Sequence, residues 1–198
     1  LLQECYEVLE ALDEGDARKL SQELGDLLMQ IVLHAQIAAE TGEFQLEDVI
    51  RSISSKLIHR HPHVFGALKL ETAQEVLNHW ESLKQGEREP GASLLSSIPK
   101  AMPALAQGQE IQDRVARVGF DWEKVDDILD KLMEEVGELK EATTAEEREQ
   151  EFGDILFTLV NIARHWGIDG EAALRRANER FRRRFVYMEE VCRSRGMA

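Results

Sequence analysis

Cysteine is nearly missing from this chain: only Cys5 and Cys192 occur, at opposite ends and without metal-ligand spacing. A secreted scaffold built on disulfides is therefore excluded, and a reducing cytoplasm is the expected setting. Proline is almost as scarce, at Pro62, Pro90, Pro99 and Pro103 only, so outside 60–103 no proline interrupts a helix. Basic residues fall well short of acidic ones, 24 against 38, for a formal charge of -14. Nucleic acid is not an expected partner, because its phosphates repel an acidic surface unless a local basic face overrides the field. No apolar run approaches the roughly 18–20 residues of a membrane span, so no membrane partner is expected either. The opening residues "LLQECYEVLE" lack the basic start and long apolar stretch of a signal peptide. They read as the interior of a helix, so the natural chain is expected to begin upstream of Leu1.

What is present is helical pattern. Apolar residues recur at steps of three and four over 1–12, 20–39, 46–58, 125–142, 149–166 and 171–192. Gly15-Asp16, Thr41-Gly42 and the run 167–170 supply the breaks. Three of the four prolines fall in "KQGEREPGASLLSSIPKAMP", 84–103. The expected fold is all-α: a first helical-bundle domain over 1–84, a proline-containing linker over 85–104 and a second domain over 105–198.

The two halves are copies of one unit. "LLQECYEVLEA" (1–11) lies over "LMEEVGELKEA" (132–142) at an offset of 131. "QELGDLLMQIVLHAQ" (22–36) lies over "QEFGDILFTLVNIAR" (150–164) at 128, and "SSKLIHRH" (54–61) over "NERFRRRF" (178–185) at 124. Order and spacing are both kept, which is the signature of a duplicated helical unit.

Acids recur inside each copy. Glu135 and Glu138 are three apart, as are Glu151 and Asp154, so each pair shares a helix face. A short turn between the two helices favours an antiparallel hairpin that brings four carboxylates together. Such a group repels itself and is costly to desolvate unless a hard divalent cation binds it, and an oxygen-only set suits Mg²⁺ or Mn²⁺. A glutamate-rich helix is by itself more often a solvated face. The reading here rests on the repetition and on the apolar run from Ile155 to Ala163, which reads as buried behind Asp154. Gly153 costs about 1 kcal/mol relative to alanine in a helix. Its repetition at Gly25 points to close approach of a backbone or ligand. Glu-x-x-His, His-Glu-x-x-His, a glycine-rich phosphate loop and a Gly-x-Ser-x-Gly elbow are all absent, so di-iron, zinc-protease, P-loop and serine-hydrolase readings fall away.

A basic counterpart follows at 175–184, "RRANERFRRR", where Arg176, Arg180, Arg183 and Arg184 share a helix side with Asn178 nearby. Arginine forks fit phosphate oxygens, although a solvated face paired with the surplus acids is an equal reading for any one of them. His59, His61 and His63 alternate around Pro62 and read as an extended structural loop, not a metal cluster. Trp122 reads as core with base stacking as the lesser alternative, and Trp80 and Trp166 as packing residues.

Taken in order, Glu-Glu-x-x-Glu (134–138), Glu-x-x-Asp (151–154) and "NERFRRRF" (178–185) resemble the all-α nucleoside triphosphate pyrophosphohydrolases. "HRHPHVF" (59–65) and "IQDRVARVGFDW" (111–122) extend the likeness over nearly the whole chain. The resemblance implies Mg²⁺-dependent hydrolysis of a nucleoside triphosphate between the α and β phosphates, in a homodimer. By motif it implies Glu135, Glu138, Glu151 and Asp154 as metal ligands, Glu134 as support or water-orienting group, and Asn178, Arg180 and Arg184 on the triphosphate. The second unit is implied to be catalytic. The first has Gln3, Ser54, Lys56 and His59 where the second has Glu134, Asn178, Arg180 and Arg183. It keeps Glu4, Glu7, Glu23 and Asp26 as a second, weaker metal candidate. A segment beyond Ala198 that helps cover the nucleotide is also implied. Two alternatives stay open on the residues alone: a non-catalytic interaction or nucleotide-sequestering protein, and an enzyme specialised for a modified nucleotide or alarmone.

Overall fold

The computed structural model describes residues 1–66, 68, 72, 75, 76, 79, 83 and 91–196. The chain divides into two compact units, Leu1–Glu89 and Pro90–Ala198. Among the described residues all regular structure is helical, as the repeat pattern requires. The first unit holds α1 (Leu2–Glu14), α2 (Ala17–Glu40), α3 (Leu46–Arg60) and the single turn α4 (Pro62–Phe65). The second holds α5 (Ala104–Ala116), α6 (Val125–Glu141), α7 (Ala145–His165) and α8 (Gly170–Ser194).

Each unit is organised around a tight antiparallel hairpin, α1 on α2 and α6 on α7, the most extensively packed helix pair in its unit. Local chemistry fixes both turns. Gly15 takes a left-handed conformation, φ 69°, and its N–H caps the carbonyls ending α1. Asp16 then opens α2 by accepting hydrogen bonds from the N–H groups of Arg18 (2.9 Å) and Lys19 (3.1 Å). Its copy, Thr144, opens α7 in a reciprocal capping box with Glu147. Glu147 accepts from the N–H groups of Thr143 (2.8 Å) and Thr144 (3.1 Å), backbone bonds that hold its carboxyl below the usual range. These caps explain why α2 and α7 start three and four residues before the apolar periodicity does: a polar first turn carries no apolar signal.

Helix α5 has no counterpart among the periodic segments of the sequence, because much of what it buries is polar. Gln112, 4% exposed, donates from Nε2 to the Phe157 carbonyl at 2.8 Å. Gln109 grips the turn before α8, donating to the Ile168 carbonyl (3.2 Å) and accepting from the Gly170 N–H (3.0 Å). Residues 91–103 lie against the same helix: Ile98 is buried, and Arg114 donates to the Leu94 carbonyl (3.2 Å) and the Ser97 hydroxyl (2.6 Å). The remainder of the expected linker, 85–90, lies outside the described residues, as does Trp80.

The core is smaller than the apolar content suggests. In the second unit Ile128, Val160, Ile162 and Ala172 are buried on α6, α7 and α8, and in the first only Ala11, Ala35 and Ala38 among the described residues. The expectation that Ile155–Ala163 is buried on all sides is half wrong. Thr158, Val160, Asn161 and Ile162 are buried, but Leu156, Phe157 and Leu159 are exposed. Phe152, Leu156 and Leu159 form an exposed stripe at i, i+4, i+7, and Leu24, Leu28 and Ile31 form the same stripe 128 residues earlier.

The histidine run also differs from expectation. His59 lies in the last turn of α3, His61 caps its end, and Pro62 starts α4 at its first position, so the segment is helical on both sides and not extended. The rings of His61 and His63 consequently sit side by side, centroids 5.7 Å apart, with His61 Nδ1 2.9 Å from the Leu57 carbonyl.

Candidate metal centre

Helix α6 carries Lys131, Glu134, Glu135 and Glu138; helix α7 runs back alongside it and carries Glu151 and Asp154. The hairpin brings Glu135, Glu151 and Asp154 together, one carboxylate oxygen from each lying within 4.8 Å of the other two. An Mg²⁺ octahedron with bonds of about 2.1 Å has ligand–ligand edges of about 3 Å and diagonals of about 4 Å, so a small contraction seats one ion on all three. The three differ in setting: Glu135 is buried, Glu151 half-buried and Asp154 exposed. This gradient is what a site closed at its back and open toward solvent requires.

Electrostatics mark the group. The Glu151 carboxyl is raised above its usual range, first by desolvation and then by the charges of Glu138, Glu135 and Asp154, with Lys131 opposing. Glu138 is exposed and outside the trio, yet its field reaches Glu151. A divalent cation reverses that repulsion, and the all-oxygen donor set fits one.

Lys131 escaped the sequence reading. Its Nζ lies 2.7 Å from Glu134 and 2.9 Å from Glu135, one helical turn away in each case, and these bonds raise its own pKa. Spacings of i, i+3 and i, i+4 on a helix were the signal available for it.

Asn178, Arg180 and Arg184 are exposed along α8. Arg183 and Arg182 turn to Glu179, at 2.8 and 3.8 Å. Neither Arg180 nor Arg184 has an ion pair among the described residues, which leaves both guanidinium forks available to an anion. In the first unit Glu4, Glu7 and Glu23 form a comparable half-buried trio. Asp26 lies outside it, and Gln30 Nε2 reaches Glu4 at 3.5 Å.

Outside its own helix backbone, neither Gly25 nor Gly153 has a heavy atom within 4 Å of where a Cβ would stand, so among the described residues the repeated glycine marks no close approach. Trp122 is 42% exposed and Trp166 57%, so neither is a core residue. The loop that carries Trp122 is fixed instead by its neighbour. Asp121 pairs with Arg164 and accepts from His165 Nε2 at 3.2 Å, both at the far end of α7. Arg164 also donates to Asn161 Oδ1 from Nε (3.0 Å) and Nη2 (2.9 Å).

The sequence has known relatives. The MazG nucleotide pyrophosphohydrolase domain matches this sequence twice, over residues 1–65 and 123–187. The chain belongs to the MazG nucleotide pyrophosphohydrolase family. It is 44% identical over 198 residues to the nucleoside triphosphate pyrophosphohydrolase/pyrophosphatase MazG of Thermotoga maritima, covering 100% of this chain and 76% of that protein. Its identity to the nucleoside triphosphate pyrophosphohydrolase of Escherichia coli K12 is 45% over 203 residues, covering 99% of this chain and 77% of the relative. An uncharacterized Bacillus subtilis protein, YabN, is 46% identical over 202 residues, but this chain spans only 41% of it. The two MazG matches fall on the two halves read as copies from the sequence, and each includes one acidic hairpin.

Proposed function

We propose that this chain hydrolyses nucleoside triphosphates to the monophosphate and pyrophosphate, with Mg²⁺ or Mn²⁺, at the acidic hairpin of its second unit. The observation that carries the proposal is the convergence of Glu135, Glu151 and Asp154 within 4.8 Å in a member of the MazG family. In this reading residues 1–84 form a weakened first unit, 85–104 a linker, and 105–198 the catalytic unit.

Glu135, Glu151 and Asp154 would hold the cation, with Glu138, whose charge acts on Glu151, as a fourth carboxylate. The chemistry a bound divalent ion supplies is polarisation of phosphate oxygens and a more acidic bound water. Water oxygen forms the new bond to the α phosphorus, the bond from that phosphorus to the α–β bridging oxygen breaks, and pyrophosphate departs with the electron pair. Glu134 orients the water and accepts its proton. Asn178, Arg180 and Arg184 position the triphosphate, the two guanidinium groups neutralising charge that grows on the leaving pyrophosphate. That Arg180 and Arg184 are exposed and have no ion pair among the described residues supports that role.

The functional form is a homodimer. Apolar stripes on α2 and α7, together with exposed Phe181, Phe185 and Met188 on α8, are the faces that a second copy covers. A cytoplasmic setting accords with a nucleotide substrate and with two free cysteines.

The test is a product assay on the full chain with Mg²⁺ over a nucleotide panel. Monophosphate and pyrophosphate in equal amounts are expected, lost in Glu138→Gln and retained in Glu7→Gln. Orthophosphate as the sole product would refute the reaction, and loss of activity in Glu7→Gln alone would move it to the first unit.

A further inference from the structure

Lys131 stands within hydrogen-bond distance of a ligand of the proposed cation. Its Nζ is 2.9 Å from Glu135 Oε1, and the Glu135 side chain is only 7% exposed, so little solvent shares that carboxylate. The same ammonium bonds Glu134 at 2.7 Å. Four acids surround it in effect: Glu134 and Glu135 directly, and Glu151 and Asp154 through the 4.8 Å trio that includes Glu135. A unit positive charge so placed has two opposite effects. It offsets the mutual repulsion of the carboxylates, and it repels a divalent ion approaching Glu135.

We propose that Lys131 is a built-in competitor for the cation, holding Glu135 in place while setting how tightly the acidic hairpin takes a divalent ion. The inference rests on the reading of Glu135, Glu151 and Asp154 as cation ligands. Glu134 is the alternative seat that makes competition possible. Its side chain is 59% exposed and already bonded to Lys131, so the ammonium keeps a partner after yielding Glu135. The pull of Lys131 on Glu151, opposite to that of the surrounding acids, shows that its field reaches the other helix of the hairpin. A cation site weakened in this way fills together with a polyanionic substrate more readily than alone, because the triphosphate brings charge that outweighs the lysine.

The experiment uses the full chain, freed of metal by chelation, with Mn²⁺ alone as probe. Binding is followed by calorimetry and by the electron paramagnetic resonance of free Mn²⁺, and the second-unit component is the part lost in Asp154→Asn. Lys131→Met and Lys131→Gln are expected to tighten that component about tenfold, and Lys131→Arg to leave it within about threefold. The metal-free thermal midpoint should fall in Lys131→Met, and saturating Mn²⁺ should erase the difference. Binding no tighter in either neutral variant would overturn the proposal, as would equal tightening in Lys140→Met, an exposed lysine farther along α6. A native chain with no Asp154-dependent component would instead overturn the cation-site reading and the proposal with it.

Discussion

Replacing Arg164 with methionine tests how far the second unit depends on one side chain. Arg164 has a side chain 12% exposed and joins two residues: Asp121 in the loop before α6, and Asn161 one turn earlier on α7. Methionine keeps most of the packed stem and removes the charge and every donor. Asn161, 9% exposed, then loses both donors to its side-chain oxygen, and a buried acceptor left unpaired costs roughly 1–3 kcal/mol. The ion pair adds at most about 1 kcal/mol, since the Asp121 side chain is 30% exposed and screened. The total is about 3 kcal/mol, which for a unit of this size lowers the melting transition by roughly 10–20 °C. Asp121→Asn leaves Arg164 on Asn161 and should cost only about 1 kcal/mol. Scanning calorimetry at fixed protein concentration reads both. A shift below about 3 °C in Arg164→Met, or a larger loss in Asp121→Asn, would refute the reasoning.

Three further outcomes are expected. Partial burial pushes the Asp121 carboxyl up, but bonds from Arg164, the Trp122 N–H and His165 outweigh it, so its pKa is depressed. Its stabilisation is therefore complete above about pH 4, the unfolded value, and lost as pH falls through the lower folded value. The stability gap between the native chain and Asp121→Asn should close over that range, with the burial that raises the Asp113 carboxyl common to both and only the last of its causes, the Asp121 charge, removed. Asp154→Asn should lower turnover at least 100-fold, measured as pyrophosphate release, while leaving the melting transition within a few degrees, because the side chain is exposed. Arg180→Met and Arg184→Met should each raise KM for the nucleotide about tenfold without loss of helicity by circular dichroism, since neither arginine has a partner among the described residues.

The hairpins and the gathering of Glu135 with Glu151 and Asp154 were legible from local signals, a helix period, a short polar turn and acids three apart, although Glu138, read with them, lies outside the trio. The duplication added a second reading of the same signal. Other features were not legible, for identifiable reasons. Periodicity shows which face of α7 is apolar but not what covers it, so Leu156, Phe157 and Leu159 read as core and are exposed. Helix α5 buries Gly108 and Gln112, neither of which registers as an apolar face. Asp121 and Arg164 are 43 positions apart, and no spacing rule links them. Lys131 lies within reach of a local rule, three positions before Glu134 and four before Glu135.

Duplication has a consequence for assembly that is separate from chemistry. Each copy kept its own sticky seam: Leu24, Leu28 and Ile31 in one, Phe152, Leu156 and Leu159 in the other. In the proposed homodimer, two molecules that match first seam to first and second to second would make a closed pair. A first seam docked on a second without the reciprocal contact would leave a seam open at each end, and such contacts propagate into open filaments. The leucine at 24 against the phenylalanine at 152 gives the seams different volumes, so mismatched docking leaves a gap on one side or a clash on the other. If a second copy covers these stripes, as proposed above, divergence between the two copies would favour pairing of like with like, even if both units kept the same metal chemistry.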